Sequence, residues 1–176
     1  MKKIVVIVDM QYDFVDGTLG TTEAQNVLNR IVEQYNLDEP DTFYIFTQDT
    51  HYDNYMTTLE GKYLPVPHCI AGTMGWEIYE DLLDRIVNPT IIEKNNFASD
   101  DVVLQIQELL DEFGYDAEIE FRGVCTDICV ISNAILAKTW FPETVIKVNS
   151  ALCAGTTPEK HKAALAVMES CQIEVM

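Results

Sequence analysis

The stretch FRGVCTDICV, Phe121 to Val130, places two of the chain's five cysteines four residues apart. That spacing admits half of a metal site, a disulfide, or one nucleophilic thiol beside a bystander. A nucleophile needs a thiolate and a partner that takes and returns its proton. Asp9, just after the apolar run KIVVIV, and Lys94, at the end of TIIEK, are candidates to flank such a thiol. A second group lies in TQDTHYDNYMTTLEGKYLPVPHC, where Asp49, His51, Glu60 and His68 offer two carboxylates and two imidazoles. That donor set suits a borderline divalent ion, zinc first, with manganese or iron as alternatives. Asp49 and His51 are two residues apart, so both point the same way from an extended segment. Two of the chain's three histidines fall in this loop. Taken singly, each residue also has a plain reading. A free cysteine is often a small buried hydrophobe, an aspartate a loop cap, a lysine a solvated surface charge, and an Asp-x-His pair incidental.

The elements that must position these groups are short and alternate. Lys3–Val8, Thr42–Gln48, Thr90–Lys94, Ala117–Val124, Thr144–Asn149 and Gln172–Met176 are rich in β-branched or aromatic residues and read as strands. Thr22–Tyr35, Asp100–Phe113, Thr126–Thr139 and Pro158–Cys171 carry apolar residues at helical spacing. The third helix is expected to be capped by Thr126 and Asp127, and the fourth to open with Pro158 in its first turn. Strand–helix alternation over the whole length predicts an α/β domain, a parallel sheet covered on both faces, with KIVVIV as a central strand. Asp49 to Ile78 has little periodicity, and a long irregular segment inside a compact α/β domain is usually functional. Ligands in such sheets bind beyond the carboxyl ends of the strands. Asp9, Asp49, His51, Lys94, Cys125 and Cys129 all fall on that rim. Cys129 is expected in the first turn of its helix, where free N–H groups and the dipole favour a thiolate.

Composition removes several classes of function. With 29 acidic and 11 basic residues the formal net charge is −18, a field that repels phosphate backbones and anionic lipid, so neither nucleic acid nor membrane is an expected partner. The first apolar run ends at Asp9, too early for a signal peptide, and no stretch is long enough to span a bilayer. Five scattered cysteines do not form a disulfide framework, and a reducing cytoplasmic setting is the simplest expectation. At 176 residues, with 48% apolar and no linker or repeat, a single domain over 1–176 is expected. Apolar residues at Trp140–Phe141 read either as a contact in a homo-oligomer or as a cover for the core.

Taken together, VDMQYDF, EKNNFAS and GVCTDICV resemble the isochorismatase-like cysteine hydrolases, and among those especially the nicotinamidases. The likeness covers essentially the whole chain and rests on three separated motifs in the right order. It implies a three-layer α/β/α domain with a six-stranded, mainly parallel sheet in the Rossmann-like order 3-2-1-4-5-6. It implies a triad of Asp9, Lys94 and Cys129, with Cys125 following a cis peptide and its N–H joining that of Cys129 as an oxyanion hole. It further implies that Asp49, His51, Glu60 and His68 hold one divalent metal ion. Asp53, Asn54 and Tyr55 are competitors for the place of Glu60. Phe14 and Phe97 stand where aromatic residues sandwich a substrate ring in that group, although core packing explains them equally. The implied activity is hydrolysis of nicotinamide, a small-molecule amide, to nicotinate and ammonia. Three alternatives stay open: another amide, ureido or carbamoyl substrate; a vinyl-ether hydrolase; and a non-catalytic binding protein. Departures from the pattern are TQDTHY in place of TQDWHP, and Pro65-Val66-Pro67 where Trp-Pro usually precedes the last histidine.

Overall fold

The computed structural model describes residues 1–34 and 41–176. Six strands are found: β1 (Lys2–Val8), β2 (Thr42–Asp49), β3 (Thr90–Lys94), β4 (Ala117–Val124), β5 (Ile146–Ala154) and β6 (Glu174–Val175). They form one parallel sheet in the order β3-β2-β1-β4-β5-β6, as the resemblance implied. Its helices are α1 (Tyr12–Val15), α2 (Thr22–Gln34), α3 (Leu59–Tyr63), α4 (Glu80–Leu83), α5 (Asp100–Phe113), α6 (Ile131–Trp140) and α7 (Pro158–Ser170). Tyr35, the last residue expected in the first long helix, lies outside the described residues. No described helix is long and apolar enough to cross a membrane.

Alternation along each strand divides the core. In β1, Ile4, Val6 and Val8 face one side with Val102, Val103 and Ile106 of α5 and Ala134 and Ala137 of α6. Val5 and Ile7 face the other side with Val27, Leu28 and Ile31 of α2 and Leu82 of α4. Both faces of β1 are therefore apolar, as a central parallel strand requires. The helices are punctuated as their sequences dictate. Ser99 accepts from Asp101 N to cap α5, which ends on Gly114 at φ 63°. Thr157 caps α7 through Lys160 N, with Pro158 in the first turn.

Several expected boundaries change; the last strand shortens from Gln172–Met176 to Glu174–Val175, and β5 starts at Ile146 instead of Thr144. Thr126–Val130 is a single π-helical turn, and the α-helix begins only at Ile131. Strand β5 runs on to Ala154, because a register shift between Phe121 and Gly123 lets Cys153 and Ala154 pair with Gly123 and Val124. The segment from Asp49 to Ile78 is less irregular than its sequence suggests, holding α3 and two short 3-10 turns.

Gly123 shows how tightly the strand ends approach one another. It has φ +112°, and a Cβ there would lie 2.2 Å from Val8 O. Gly123→Ala is therefore expected to cost about 3 kcal/mol or more, from both the backbone region and the clash with main chain. Urea unfolding of the variant beside the parent measures it.

Candidate active site

Strands β3 and β2 end in Lys94 and Asp49, β1 and β4 lead directly into Asp9 and Cys125, and the parallel register sets those ends side by side. Asp49 pairs directly with Lys94, and Val8, the residue before Asp9, pairs with Gly123, two before Cys125. The adjacency comes from topology, not from nearness in sequence. Asp9 leaves β1 at φ 49°, a left-handed conformation that aspartate tolerates better than most residues.

The side chains converge on one ammonium. Lys94 Nζ lies 2.7 Å from Asp9 Oδ2 and 3.1 Å from Asp49 Oδ1, and it donates to Cys129 Sγ at 3.5 Å. All four residues are buried, Asp9 completely. Thr47 Oγ1 donates to Asp9 Oδ1 at 2.5 Å, and the Asp9 N–H bonds Thr47 Oγ1 at 3.1 Å. Complete burial and the nearby Asp49 carboxylate push the Asp9 carboxyl above its ordinary range, against the pull of Lys94 and Thr47. Burial works against the charge on Lys94, but the attraction of Asp9, Cys129 and Asp49 wins and holds its pKa above the usual lysine value. The Cys129 thiol is raised well above the ordinary value by burial and by Asp9, with Lys94 opposing. Burial thus favours the neutral form of the thiol, beside Asp9 and Lys94 in ion-pair contact. Burial opposes the thiolate that a helix N-terminus favours.

The turn carrying Cys129 is fastened from behind. Thr126 and Asp127 do not cap it: the N-cap position is held by Cys125, with no side-chain cap. Thr126 Oγ1 instead shares a 2.8 Å hydrogen bond with His161 Nδ1. Asp127 accepts from Thr156 N and Thr156 Oγ1, each at 2.7 Å. The amides of Ile128 and Val130 both bond Cys125 O, at 3.0 and 3.1 Å, which leaves the Cys129 N–H between them unused by that carbonyl. The Val124–Cys125 peptide is cis, as implied. All five cysteines are free. Cys69 and Cys153 are buried, their thiols pushed up first by desolvation. Cys125 and Cys171 are only partly buried.

A second cluster adjoins the first through Asp49. One ligand atom each from Asp49, His51 and His68 falls within 4.8 Å of the others. Glu60 Oε1 lies 3.6 Å from His51 Nε2 and 3.8 Å from His68 Nε2. His51 Nε2 is 3.0 Å from Asp49 Oδ2, yet the two are not aligned as donor and acceptor, and that buried nitrogen has no hydrogen-bond partner. His68 Nδ1 sits 2.8 Å from Val66 O. A carbonyl there requires Nδ1–H, so the Nε2 lone pair is left facing the cluster. Four convergent donors, one an orphaned buried nitrogen and another with its tautomer fixed, fit a divalent ion. The competitors do not converge: Asp53 and Asn54 are exposed, and the Tyr55 hydroxyl donates to Leu64 O at 2.9 Å. Tyr55 instead walls the cluster, its ring 4.8 Å from that of His51 and 5.1 Å from that of His68.

Of the two aromatic residues expected at a substrate ring, Phe14 packs edge-on to His68 with ring centroids 5.4 Å apart. Phe97 is 50% exposed, too open for a core residue. Phe141 is buried, whereas Trp140 is 46% exposed. Among the buried polar residues that escaped the sequence reading, three grip the site. Thr47 grips Asp9. Gln11 clamps Asp49, its Oε1 accepting from Asp49 N at 2.7 Å and its Nε2 donating to Asp49 O at 2.8 Å. Asn133 bonds the turn that carries Cys129. Gln11 stood inside the quoted motif VDMQYDF, and Asn133 falls one helical turn after Cys129, so position alone was a signal for both.

A thiol, a carboxylate and an ammonium at the carboxyl rim of a 3-2-1-4-5-6 sheet, beside a four-donor cluster, describe a hydrolase. The chain matches the isochorismatase domain over residues 3–176 and belongs to that family. The nicotinamidase of Schizosaccharomyces pombe is 27% identical over 212 residues, covering 97% of this chain and 91% of that protein. The nicotinamidase/pyrazinamidase of Mycobacterium tuberculosis is 25% identical over 186 residues, covering 99% and 98%. The crystal structure of nicotinamidase/pyrazinamidase from Bacillus subtilis superposes with a TM-score of 0.81 at 27% identity, over 99% of both chains. The family and the site together make the protein a hydrolase.

Proposed function

We propose that the protein hydrolyses nicotinamide to nicotinate and ammonia through a thioester on Cys129. The observation that carries the reading is the position of Lys94 Nζ, in contact with Asp9, Cys129 and Asp49 at once. One ammonium thereby joins a nucleophile and its base to a metal-ligand cluster, and a small ring amide bridges those two features.

Asp9 takes the Cys129 proton as sulfur attacks the carboxamide carbon; its raised pKa suits it to the task. The N–H groups of Cys125 and Cys129 hold the developing oxyanion, each worth on the order of 3 kcal/mol of barrier. Asp9 then protonates the departing ammonia, and water attacks the thioester to release the acid and return the proton to sulfur. Lys94 keeps a charge beside Asp9 throughout and holds the thiol in line. Asp49, His51, Glu60 and His68 would hold a divalent ion, zinc being best suited to two imidazoles and two carboxylates. When bound, that ion supplies a Lewis-acidic contact for the pyridine nitrogen and so fixes the ring. Phe14 and Phe97 would flank the ring and keep bulk water from the carboxamide.

The test is ammonia release from nicotinamide, pyrazinamide and aliphatic amides, before and after exhaustive chelation. Nicotinamide is expected as the best substrate, with chelation raising its KM and re-addition of zinc restoring it. His51→Ala is expected to bind zinc at least tenfold more weakly, about the effect of one lost ligand contact. Zinc content unchanged by His51→Ala would remove that residue from the ligand set. Preference for a ureido or aliphatic amide would replace nicotinamide as the substrate.

A further inference from the structure

We propose that Asn133 is a positioning residue that fixes the wall carrying Phe97 against the turn carrying the nucleophile, and so sets how a ring amide is seated. This rests on the roles given above to Cys129 and Phe97.

Asn133 lies on α6, one turn beyond Cys129, and is 1% exposed. Its Nδ2 donates to Cys129 O at 2.8 Å and to Phe97 O at 3.0 Å. Its Oδ1 accepts from Ser99 N at 3.2 Å. Both amide protons and the carbonyl are used, on partners in two distant segments. A buried amide is costly unless satisfied in this way, and its neighbours Ala134 and Ala137 show that this helix face otherwise packs by small apolar contact.

The fold does not depend on these bonds for the elements they touch. The α5 helix is capped by the Ser99 hydroxyl and buried through Val102, Val103 and Ile106. The bonds instead fix the few residues between Lys94 and α5. Phe97 sits there, its ring half exposed and not held by core packing. Its main chain is therefore held by Asn133, and the same nitrogen holds the carbonyl of the nucleophile. A shift in one element is transmitted to the other through one side chain.

The two arms can be separated. Ser132 and Thr139 on α6 each donate a hydroxyl to the carbonyl four residues back, at 2.6 and 2.8 Å. Asn133→Thr can make the same bond to Cys129 O but is too short to reach Phe97 O. Asn133→Asp keeps the shape of the side chain and loses both donors.

The experiment compares these variants with the parent in two ways. Alkylation rates of Cys129 are measured with iodoacetamide, which has no ring, and with N-phenylmaleimide, with Cys129→Ala as background. Steady-state constants are measured for nicotinamide and for an aliphatic amide. For Asn133→Thr, iodoacetamide should react as with the parent, while N-phenylmaleimide slows and the nicotinamide KM rises, each by about tenfold, the scale of one lost hydrogen bond. kcat on the aliphatic amide should hold. Asn133→Asp should slow both reagents. Asn133→Ser replaces the threonine variant if thermal melting shows the latter unfolded. Unchanged reagent preference and KM in the folded threonine or serine variant would overturn the proposal. A parent enzyme that ignores nicotinamide would sink the functional reading instead, and the reagent ratio would still decide the role of Asn133.

Discussion

Replacing Cys129 with alanine is expected to abolish amide hydrolysis while leaving the protein folded. Deleting a covalent nucleophile from an assembled site costs on the order of a millionfold in kcat, so residual turnover should be lost in the background. The fold has little at stake. Cys129 buries one sulfur on the edge of the core, and its removal costs about 1 kcal/mol, partly offset because a desolvated thiol next to Asp9 and Lys94 is gone. Cys125→Ala is the matched control. By the proposed mechanism that residue contributes a backbone N–H, which alanine keeps, so activity should stay close to the parent's. Ammonia release, with circular dichroism to confirm folding, settles the pair. An active Cys129→Ala beside a dead Cys125→Ala would mean that the wrong thiol was chosen.

How these residues could be read from sequence depended on whether the signal was local. The strands β1, β3 and β4 were legible to within a residue because short β-branched runs end abruptly in polar residues. Asp9, Lys94 and Cys129 were legible because each follows or closes such a run, and three motifs in order gave the family resemblance. Groups defined by a distant partner were not legible. Thr126 and Asp127 have the residue types of a helix cap, but their partners His161 and Thr156 arrive 35 and 29 residues later, and tertiary bonding overrode the local preference. The last residues of β5 were missed for a similar reason, since their pairing depends on a register shift in β4. Helix-terminus arguments about Cys129 are local, while the desolvation that raises its thiol is a property of the whole packed site. Glu60 shows the reverse: chosen over closer competitors by a resemblance of imperfect spacing, it is brought within 4 Å of both histidines by α3.

Lys94→Met is expected to cost the most stability and to lower turnover as well. Lys94 is the ammonium shared by Asp9 and Asp49, and all three are buried. Methionine fills nearly the same volume, so packing is conserved and the loss is electrostatic. Breaking a buried ion pair from one side costs about 3 to 5 kcal/mol, because the remaining charges are left in a medium that solvates them poorly. Burial and Asp49 already raise the Asp9 pKa, with Lys94 opposing them. Without that opposition the upward shift grows, and Asp9 is harder to ionise and so a less available base for the Cys129 proton. The pH dependence follows from the sign of the shift. A carboxyl whose folded pKa lies above its unfolded value favours the folded state below the unfolded pKa, and that contribution is lost as pH rises through the folded pKa. The stability deficit of Lys94→Met should therefore be largest at pH 8 and shrink as pH falls toward about 5, the side on which a raised carboxyl is protonated. Urea midpoints for parent and variant at both pH values measure this. A deficit that stays constant between them would show that Lys94 contributes through packing alone, and a variant with full activity would separate this ammonium from the chemistry of Cys129.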